Sequence, residues 1–404
     1  MTIFVINSGS SSIKYQLFHM PSDQPVCSGL VERIGLEDSV ITHRVFTDGG
    51  EKTIRRTTDL ADHSAGLEAV VQLLTDPAVG VIRALDEINA VGHRVVHGGE
   101  QFAATVVVTP EVKQEVQQLF PLAPLHNPAN YLGIEVAERI FPGAKQVAVF
   151  DTAFHQTMPE RVYRYAIPEE FYSQLHIRAY GFHGTSHKYV SKKATAYLGN
   201  PGARLITVHL GNGCSMAAIR DGACLDTSMG MGPLSGLIMG TRSGDIDPSV
   251  IFYLLNQRGY EPEQVNTLLN KRSGMLGLTG HSDMRDVTQA IAQGDPRAAL
   301  AYDMYAYRIK KYVGAYVAVL NGLDALIFTA GVGENDPEVR ARVCQNLDYL
   351  GIRLDEEKNR LRTPGLREIS AEDSRVKILL IPTNEELLIA RDTLRLIGTT
   401  GSDD

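Results

Sequence analysis

FVINSGSSSIKY, residues 4–15, is the stretch on which the fold turns. A β-branched, apolar run, Ile3 to Ile6, stops at Asn7. Ser8, Gly9 and three serines follow, and a second strand-like run from Ile13 to Phe18 carries Lys14. The pattern predicts a strand, a tight polar turn and a second strand. The turn offers a carboxamide, hydroxyls, backbone N–H groups beside a glycine, and one ammonium. All are ligands for phosphate or for a metal bound to phosphate. An ordinary solvated hairpin has the same composition, so the rest of the chain must discriminate.

The design recurs in TVHLGNGCS, residues 207–215, where an ungapped overlay sets Asn7 on His209 and Gly9 on Gly211. Similar hairpins near the start of each half imply a duplicated domain. The wider pattern is a buried strand that ends in a glycine-rich or polar turn. It occurs at NSGSSS, HRVVHGGE, FDTAFH, HLGNGCS, TAGVGEN and PTNEE. In α/β sheets ligands bind beyond the carboxyl ends of strands, and glycine there lets backbone N–H groups approach phosphate. Neither G-x-x-x-x-G-K-[ST] nor G-x-G-x-x-G is present, which removes the P-loop and weakens a dinucleotide fold. Phosphate would be handled by several separate loops.

The bulk numbers agree. The chain has 404 residues, enough for two domains, and is 44% hydrophobic and 21% charged. A net charge of −8, 39 basic against 47 acidic residues, argues against nucleic-acid or anionic-membrane partners. The N-terminus enters a strand directly, with no signal-peptide pattern, and no apolar run has the length of a membrane span. Cys27, Cys214, Cys224 and Cys344 form no CxxC pair and suggest reduced thiols in the cytoplasm.

Short alternating runs to about Arg56 suit further antiparallel strands. Helical spacing follows at 65–74, 111–119, 130–140, 297–321, 337–350 and 386–397, with strands at 88–96, 146–150, 324–329 and 376–381. Residues 228–248 and 273–286 are expected as loops, the first a functional one because it is long and irregular. The tail GTTGSDD, residues 398–404, is expected to be mobile.

Nine motifs resemble the acetate and propionate kinase family of the actin-like, sugar-kinase-like ATPase superfamily. They are NSGSSSIKY (7–15), GHRVVHGGE (92–100), PLAPLHNP (121–128), VFDTAFHQTMP (149–159), YGFHGTSHKYV (180–190), HLGNGCS (209–215), DTSMGMGPLSGLIMGTRSGDIDP (226–248), FTAGVGEN (328–335) and IPTNEE (381–386). The resemblance implies two duplicated actin-like, ribonuclease H-like α/β domains with an active-site cleft between them. Residues 1–150 with 386–404 would form the first, and 151–385 the nucleotide-binding second. It also implies a cytoplasmic homodimer, and reversible transfer of the ATP γ-phosphoryl group to acetate, giving acetyl phosphate and ADP. Mg²⁺ is the implied cofactor, with Mn²⁺ able to substitute. The rivals are a propionate kinase and a non-kinase actin-like ATPase.

The same resemblance distributes roles. Asn7 and Glu385 would hold Mg²⁺, although a carboxylate in the first turn of a helix is favoured there regardless. Arg94, inside an apolar strand, needs a partner in any fold; as a planar fork it suits a carboxylate or phosphate. Arg94 and Arg242 would act on the acyl substrate and the phosphoryl group in flight. Asp151 would order the metal and substrate rather than act as a strong base, because acetate is already ionised. His183 would donate to the phosphoryl group. His187, four residues on, is expected on a helix face, since the zinc-type glutamate is absent. Val96, Leu125, Phe182 and Pro233 would wall the acyl methyl group, with His126 nearby. Lys14, the loop His209, Leu210, Gly211, Asn212 and Gly213, the adenosine contacts Asp283, Met284 and Arg285, and the loop Gly331, Val332, Gly333, Glu334 and Asn335 would bind ATP. Valine at position 96 favours acetate over propionate. Cys214 is expected to be a small buried filler.

Overall fold

The computed structural model describes residues 1–47 and 49–399. Most of the tail expected to be mobile, 400–404, lies outside the described residues. The chain divides into two compact units. Met1–Ala153 forms one together with the chain from Asn384 onward, and Phe154–Thr383 forms the other.

In the first unit the opening hairpin forms as expected: β1 (Thr2–Gly9) pairs antiparallel with β2 (Ser12–His19), Asn7 facing Lys14. β3 (Pro25–Glu32), β4 (Ser39–Thr47) and β5 (Gly50–Thr58) extend it by antiparallel pairing. β5 reads GEKTIRRTT and is almost entirely exposed, a charged edge that discourages further pairing. On the other side of β1, β6 (Ala90–Val95) and β8 (Lys145–Phe150) are parallel to it, and β7 (Val106–Val107) closes the edge.

Helices His63–Leu74 and Asn127–Ile140 pack on one face, over Phe4, Ile6, Ile13 and Val91. The C-terminal helix, Glu385–Thr399, packs on β1, β6 and β8 from the other face. Side chains alternate along a strand, so Ala90, Gly92 and Arg94 share the face opposite to Val91. A Cβ on Gly92 would lie 2.7 Å from Ile389 Cγ2 and 2.8 Å from Thr393 Oγ1. The glycine therefore allows this helix to lie directly on the strand, which carries its first residue, Glu385, to Arg94.

The second unit is built on β9 (Leu205–Leu210), β10 (Cys214–Arg220) and β11 (Ala223–Thr227), successively antiparallel. β12 (Ala325–Thr329) and β14 (Lys377–Leu380) continue from β9 in parallel, and β13 (Arg367–Glu368) closes the edge. All six residues of β9 and all five of β12 are buried, as central strands covered on both faces require. Helices Gly184–Leu198 and Pro296–Leu320 pack against this sheet.

The two sheets share one topology. The order β3-β2-β1-β6-β8-β7 in the first repeats as β11-β10-β9-β12-β14-β13 in the second, and β4 and β5 are an addition to the first. The duplication inferred from the two hairpins is thus a property of the whole strand order. Among the described residues no helix is long and apolar enough to cross a membrane. All four cysteines are free and buried.

Two expected loops contain helices. Residues 273–286 hold Gly274–Thr279 and the start of Met284–Ala292, the latter opened by Asp283, whose carboxylate accepts from Arg285 N. The segment AGVGEN is the helix Ala330–Asn335. Gly331 and Gly333 lower its intrinsic helicity, but Arg340 Nη1 donates to the Gly333 and Glu334 carbonyls at 2.9 and 3.0 Å and satisfies the helix end.

Candidate functional site

Three strand ends meet in the first unit. Asn7 lies near the end of β1, Arg94 near the end of β6, and Asp151 immediately after β8. Arg94 Nη1 donates to Asn7 Oδ1 at 3.2 Å, and Nη2 donates to Asp151 Oδ2 in a close charged contact. Arg94 Nε lies 3.8 Å from Glu385 Oε2 and has no hydrogen-bond partner among the described residues. Asp151 is fully buried. Burial opposes the guanidinium charge, but the Asp151 and Glu385 carboxylates outweigh it and raise the Arg94 pKa above its ordinary value.

Glu385 and Glu386 occupy the first turn of the C-terminal helix, where the helix dipole favours carboxylates. Burial, with Asp151 and Glu386 nearby, pushes the Glu385 carboxyl up to about 7 against the pull of Arg94 and Lys14. Lys14 pairs with Glu386 Oε1 at 2.6 Å, so within this unit the lysine expected at ATP braces the helix start.

The opening turn is anchored from behind. Asn130 Nδ2 donates to Ser8 O at 2.7 Å, while its Oδ1 accepts from Val96 N at 3.0 Å. Asn127 makes the same kind of bridge, with both of its amide atoms bonded to the His97 backbone at 3.0 Å. These two asparagines are buried on the helix that follows PLAPLHNP, and hold the turn and the segment after Arg94 in register. Their polarity on a buried helix face was the available sequence signal. Val96 is buried, whereas Leu125 is 56% exposed, in the turn ahead of His126. Within this unit Leu125 is a surface residue. His126 is the residue immediately before the helix Asn127–Ile140.

In the second unit His183 opens the helix Gly184–Leu198 with φ +56°, in the left-handed region that a non-glycine residue adopts only when its surroundings hold it there. Its Nδ1 lies 2.8 Å from Ser215 Oγ, and its ring stacks on His209 with centroids 4.3 Å apart. A Cβ on Gly213 would come 3.3 Å from His183 Cε1 and 3.6 Å from Arg242 Nη1. His183, Arg242 and the glycine of HLGNGCS are therefore neighbours.

Arg242 Nη1 donates to Pro233 O at 3.1 Å, and among the described residues no carboxylate pairs with it. Burial lowers the Arg242 pKa. A half-buried guanidinium with neutral acceptors only is a ready partner for an anion. Phe182 is buried, and its carbonyl is 2.9 Å from His155 Nε2. His187 is fully buried and hydrogen-bonded, so it does not lie on an exposed helix face.

A cavity of about 900 Å³ in the same unit is lined by Gly211, Asn212, Asp283, Met284, Arg285, Gly331, Val332 and Asn335. Eight expected nucleotide contacts thus converge on one space. His209, Leu210, Gly213, Gly333 and Glu334 are not part of that lining; Leu210 is fully buried, and Glu334 Oε1 accepts from Thr383 N at 3.4 Å. Gly240, Ser282, Tyr305 and Asp336 also line the cavity and were not singled out from the sequence. Gly240 has a steric reason: a Cβ there would lie 2.0 Å from Asn212 Oδ1. Arg285 is 90% exposed and engages Asp283 through Nη2 at 2.5 Å. Cys214 is the buried filler expected, its thiol pushed up to about 11 by burial.

Among the described residues no group of three or more His, Cys, Asp or Glu gathers as a metal site. The oxygen donors Asn7 Oδ1 and Glu385 Oε2, however, both face the one Arg94 guanidinium.

Comparison with known proteins covers almost the whole chain. The model of the acetokinase family matches residues 2–391. An acetate kinase of Flavobacterium johnsoniae is 54% identical over 397 residues, 98% of this chain and 100% of that protein. An acetate kinase of Thermotoga maritima is 52% identical over 406 residues, 99% of this chain and 100% of that protein. The crystal structure of Porphyromonas gingivalis acetate kinase superposes with a TM-score of 0.92 at 46% identity, covering 98% of this chain and 99% of that one. A propionate kinase from Francisella tularensis superposes with a TM-score of 0.90 at 42% identity, covering 97% and 98%.

Proposed function

The chain belongs to the acetokinase family, and from that premise we propose that it is a kinase that phosphorylates acetate, reversibly, at the expense of ATP. One acetate oxygen attacks the γ-phosphorus in line; the bond to the β,γ-bridging oxygen breaks, and ADP leaves with that electron pair. Acetate is an anion at neutral pH, so no base need remove a proton. Such catalysis consists mainly of positioning and charge stabilisation.

The observation that carries this assignment is the pair of arginines. Arg94 is raised in pKa and clamped by Asp151; Arg242 has neutral partners only. Arg94 would orient the acyl carboxylate and the phosphoryl group, with Asp151 fixing its fork. Arg242 and His183 would take the charge that develops on the phosphoryl oxygens. The cavity lined by Asn212, Met284 and Gly331 would hold the nucleoside, and Val96, Phe182 and Pro233 the acyl methyl group.

Asn7 and Glu385 suit Mg²⁺, a hard ion that keeps much of its water and takes one or two protein oxygens. Bound there, it would supply neutralisation of phosphate charge, and Mn²⁺ would substitute. The working protein is a cytoplasmic homodimer in this proposal. The helix Ser249–Arg258, which has no buried residue and exposes Val250, Phe252 and Tyr253, supports a second copy as partner.

The test is to trap acetyl phosphate with hydroxylamine in a reaction of protein, ATP, acetate and Mg²⁺. Acetyl hydroxamate in proportion to ADP is expected. ADP release that ignores acetate would overturn the assignment in favour of a non-kinase ATPase. The similarity to a propionate kinase gives a second candidate substrate; comparing kcat/KM for acetate, propionate and butyrate separates them, with acetate expected to lead.

A further inference from the structure

Four histidines, 155, 183, 187 and 209, gather at the start of the helix Gly184–Leu198, and His187 has been given no task above. Between His183 and His187 stands one hydroxyl. Ser215 Oγ lies 2.8 Å from His183 Nδ1 and 2.8 Å from His187 Nε2. A hydroxyl has a single proton, so Ser215 donates to one ring and accepts from the other. The proton positions on the two rings are therefore coupled.

The direction is set at the far end. His187 Nδ1 is 2.7 Å from Thr207 Oγ1, and Thr207 Oγ1 donates to Ala217 O at 3.5 Å. A carbonyl can only accept, and with the Thr207 proton toward Ala217 the Thr207 oxygen accepts from His187 Nδ1–H. His187 is fully buried; burial, followed by the nearby His155 and His209, holds its pKa well below the ordinary histidine value. The ring is neutral and has one N–H, which Thr207 has claimed. His187 Nε2 is then an acceptor, and Ser215 donates to it. The Ser215 oxygen in turn accepts from His183 Nδ1–H.

We propose that Ser215, His187 and Thr207 are positioning residues that fix a proton on Nδ1 of His183 and so present its Nε2 edge to the transferring phosphoryl group. The proposal rests on the assignment of His183 to that group made above. The ring is held in the plane this requires by the stacked His209, itself anchored through Ser186 Oγ, 2.8 Å from His209 Nδ1 and 2.8 Å from Thr383 Oγ1. With Nδ1–H engaged by Ser215, His183 donates from Nε2 only as imidazolium.

The experiment records long-range ¹H–¹⁵N correlations of the full-length protein labelled with ¹⁵N-histidine, the His183 signals being identified by their loss in His183→Gln. Nδ1 of His183 is expected to be protonated in the wild type. Thr207→Val removes the last acceptor without changing shape. It should alter the His183 and His187 nitrogen signals and lower kcat about tenfold, the scale of one charge-assisted hydrogen bond, with KM for both substrates little changed. Ser215→Ala should do the same and Ser215→Thr restore function. A wild-type His183 that carries its proton on Nε2 alone, or a Thr207→Val spectrum identical to wild type, overturns the proposal. Absence of acetate phosphorylation in the wild type would instead overturn the function, because the proton positions are measured without turnover.

Discussion

Replacing Arg94 by Met should damage the first unit and the reaction by separable amounts. The Arg94 side chain is 18% exposed, and its Asp151 partner is fully buried. Removing one member of a buried ion pair leaves the other charged in a poor solvent, at a cost of about 3–5 kcal/mol. Arg94→Met should therefore destabilise the unit by ~4 kcal/mol. Asp151→Asn is milder, ~2 kcal/mol, because the guanidinium retains Asn7, Glu385 within 3.8 Å and some solvent. The double variant leaves no stranded charge and should cost less than the sum, giving a coupling of about 2–3 kcal/mol. The chain has no tryptophan, so hydrogen exchange of the β6 and β8 amides is the suitable stability probe for this unit. On the chemical side, loss of a donor that acts only in the transition state should lower kcat by about 10³ in the two variants that lack Arg94. A coupling under ~0.5 kcal/mol would mean that Asp151 is not held by Arg94. Retention of more than about a tenth of kcat in Arg94→Met would remove Arg94 from the catalytic group.

Other variants test other parts. Gly240→Ala places a Cβ 2.0 Å from Asn212 Oδ1 and 3.0 Å from Ser282 O, both at the nucleotide cavity, so KM for ATP should rise about tenfold with a smaller change in kcat, measured in steady-state assays. Val96→Ala empties buried space and should shift the propionate-to-acetate ratio of kcat/KM upward by roughly tenfold, since one methylene is worth about 1–3 kcal/mol. Asp226 gives a pH test: burial raises its carboxyl from 3.8 to about 6. The folded state thus holds the proton more tightly, and the stability this gives is complete below about pH 4 and lost as pH rises through 6. Asp226→Asn should therefore leave melting unchanged near pH 4 and stabilise the protein by about 1–2 kcal/mol at pH 8, a value reduced for partial solvent access; equal melting of both proteins at pH 8 would count against it.

What the sequence displayed was whatever depends on local pattern. Apolar runs such as Ile3–Ile6 and Leu205–Leu210 announce central strands, and 3.6-residue spacing announces Pro296–Leu320. Both hairpins were legible because turn chemistry is local. The helix Ala330–Asn335 was hidden, because two glycines argue against it and its support, Arg340, lies outside the element. At the site, the residue types of Asn7, Arg94, Asp151 and Glu385 were legible, but their convergence depends on Gly92 admitting the C-terminal helix. Asn130 and Ser215 went unnoticed as bridges, since a single polar residue reveals its partners only in three dimensions.

The duplicated topology also explains how one architecture came to hold two chemistries. Under the overlay that sets Asn7 on His209, Ser12 falls on Cys214, and these are the first residues of β2 and β10. The pairing nevertheless differs by one residue: Gly9 faces Ser12 across a two-residue turn, whereas Leu210 faces Cys214 across Gly211, Asn212 and Gly213. Gly211 and Asn212 of the longer turn line the cavity, and the shorter turn keeps Asn7 opposite Lys14. The next two strand ends diverge likewise. Those of β6 and β8 bring Arg94 and Asp151, a charged pair; those of β12 and β14 lead into the helix at Ala330 and to Thr383, backbone and hydroxyl. The same three positions thus carry Asn7, Arg94 and Asp151 in one half, and a glycine-rich turn, a helix start and a threonine in the other. The opening hairpin determines the fold because it occurs twice, and its two copies differ by one residue in the length of the turn.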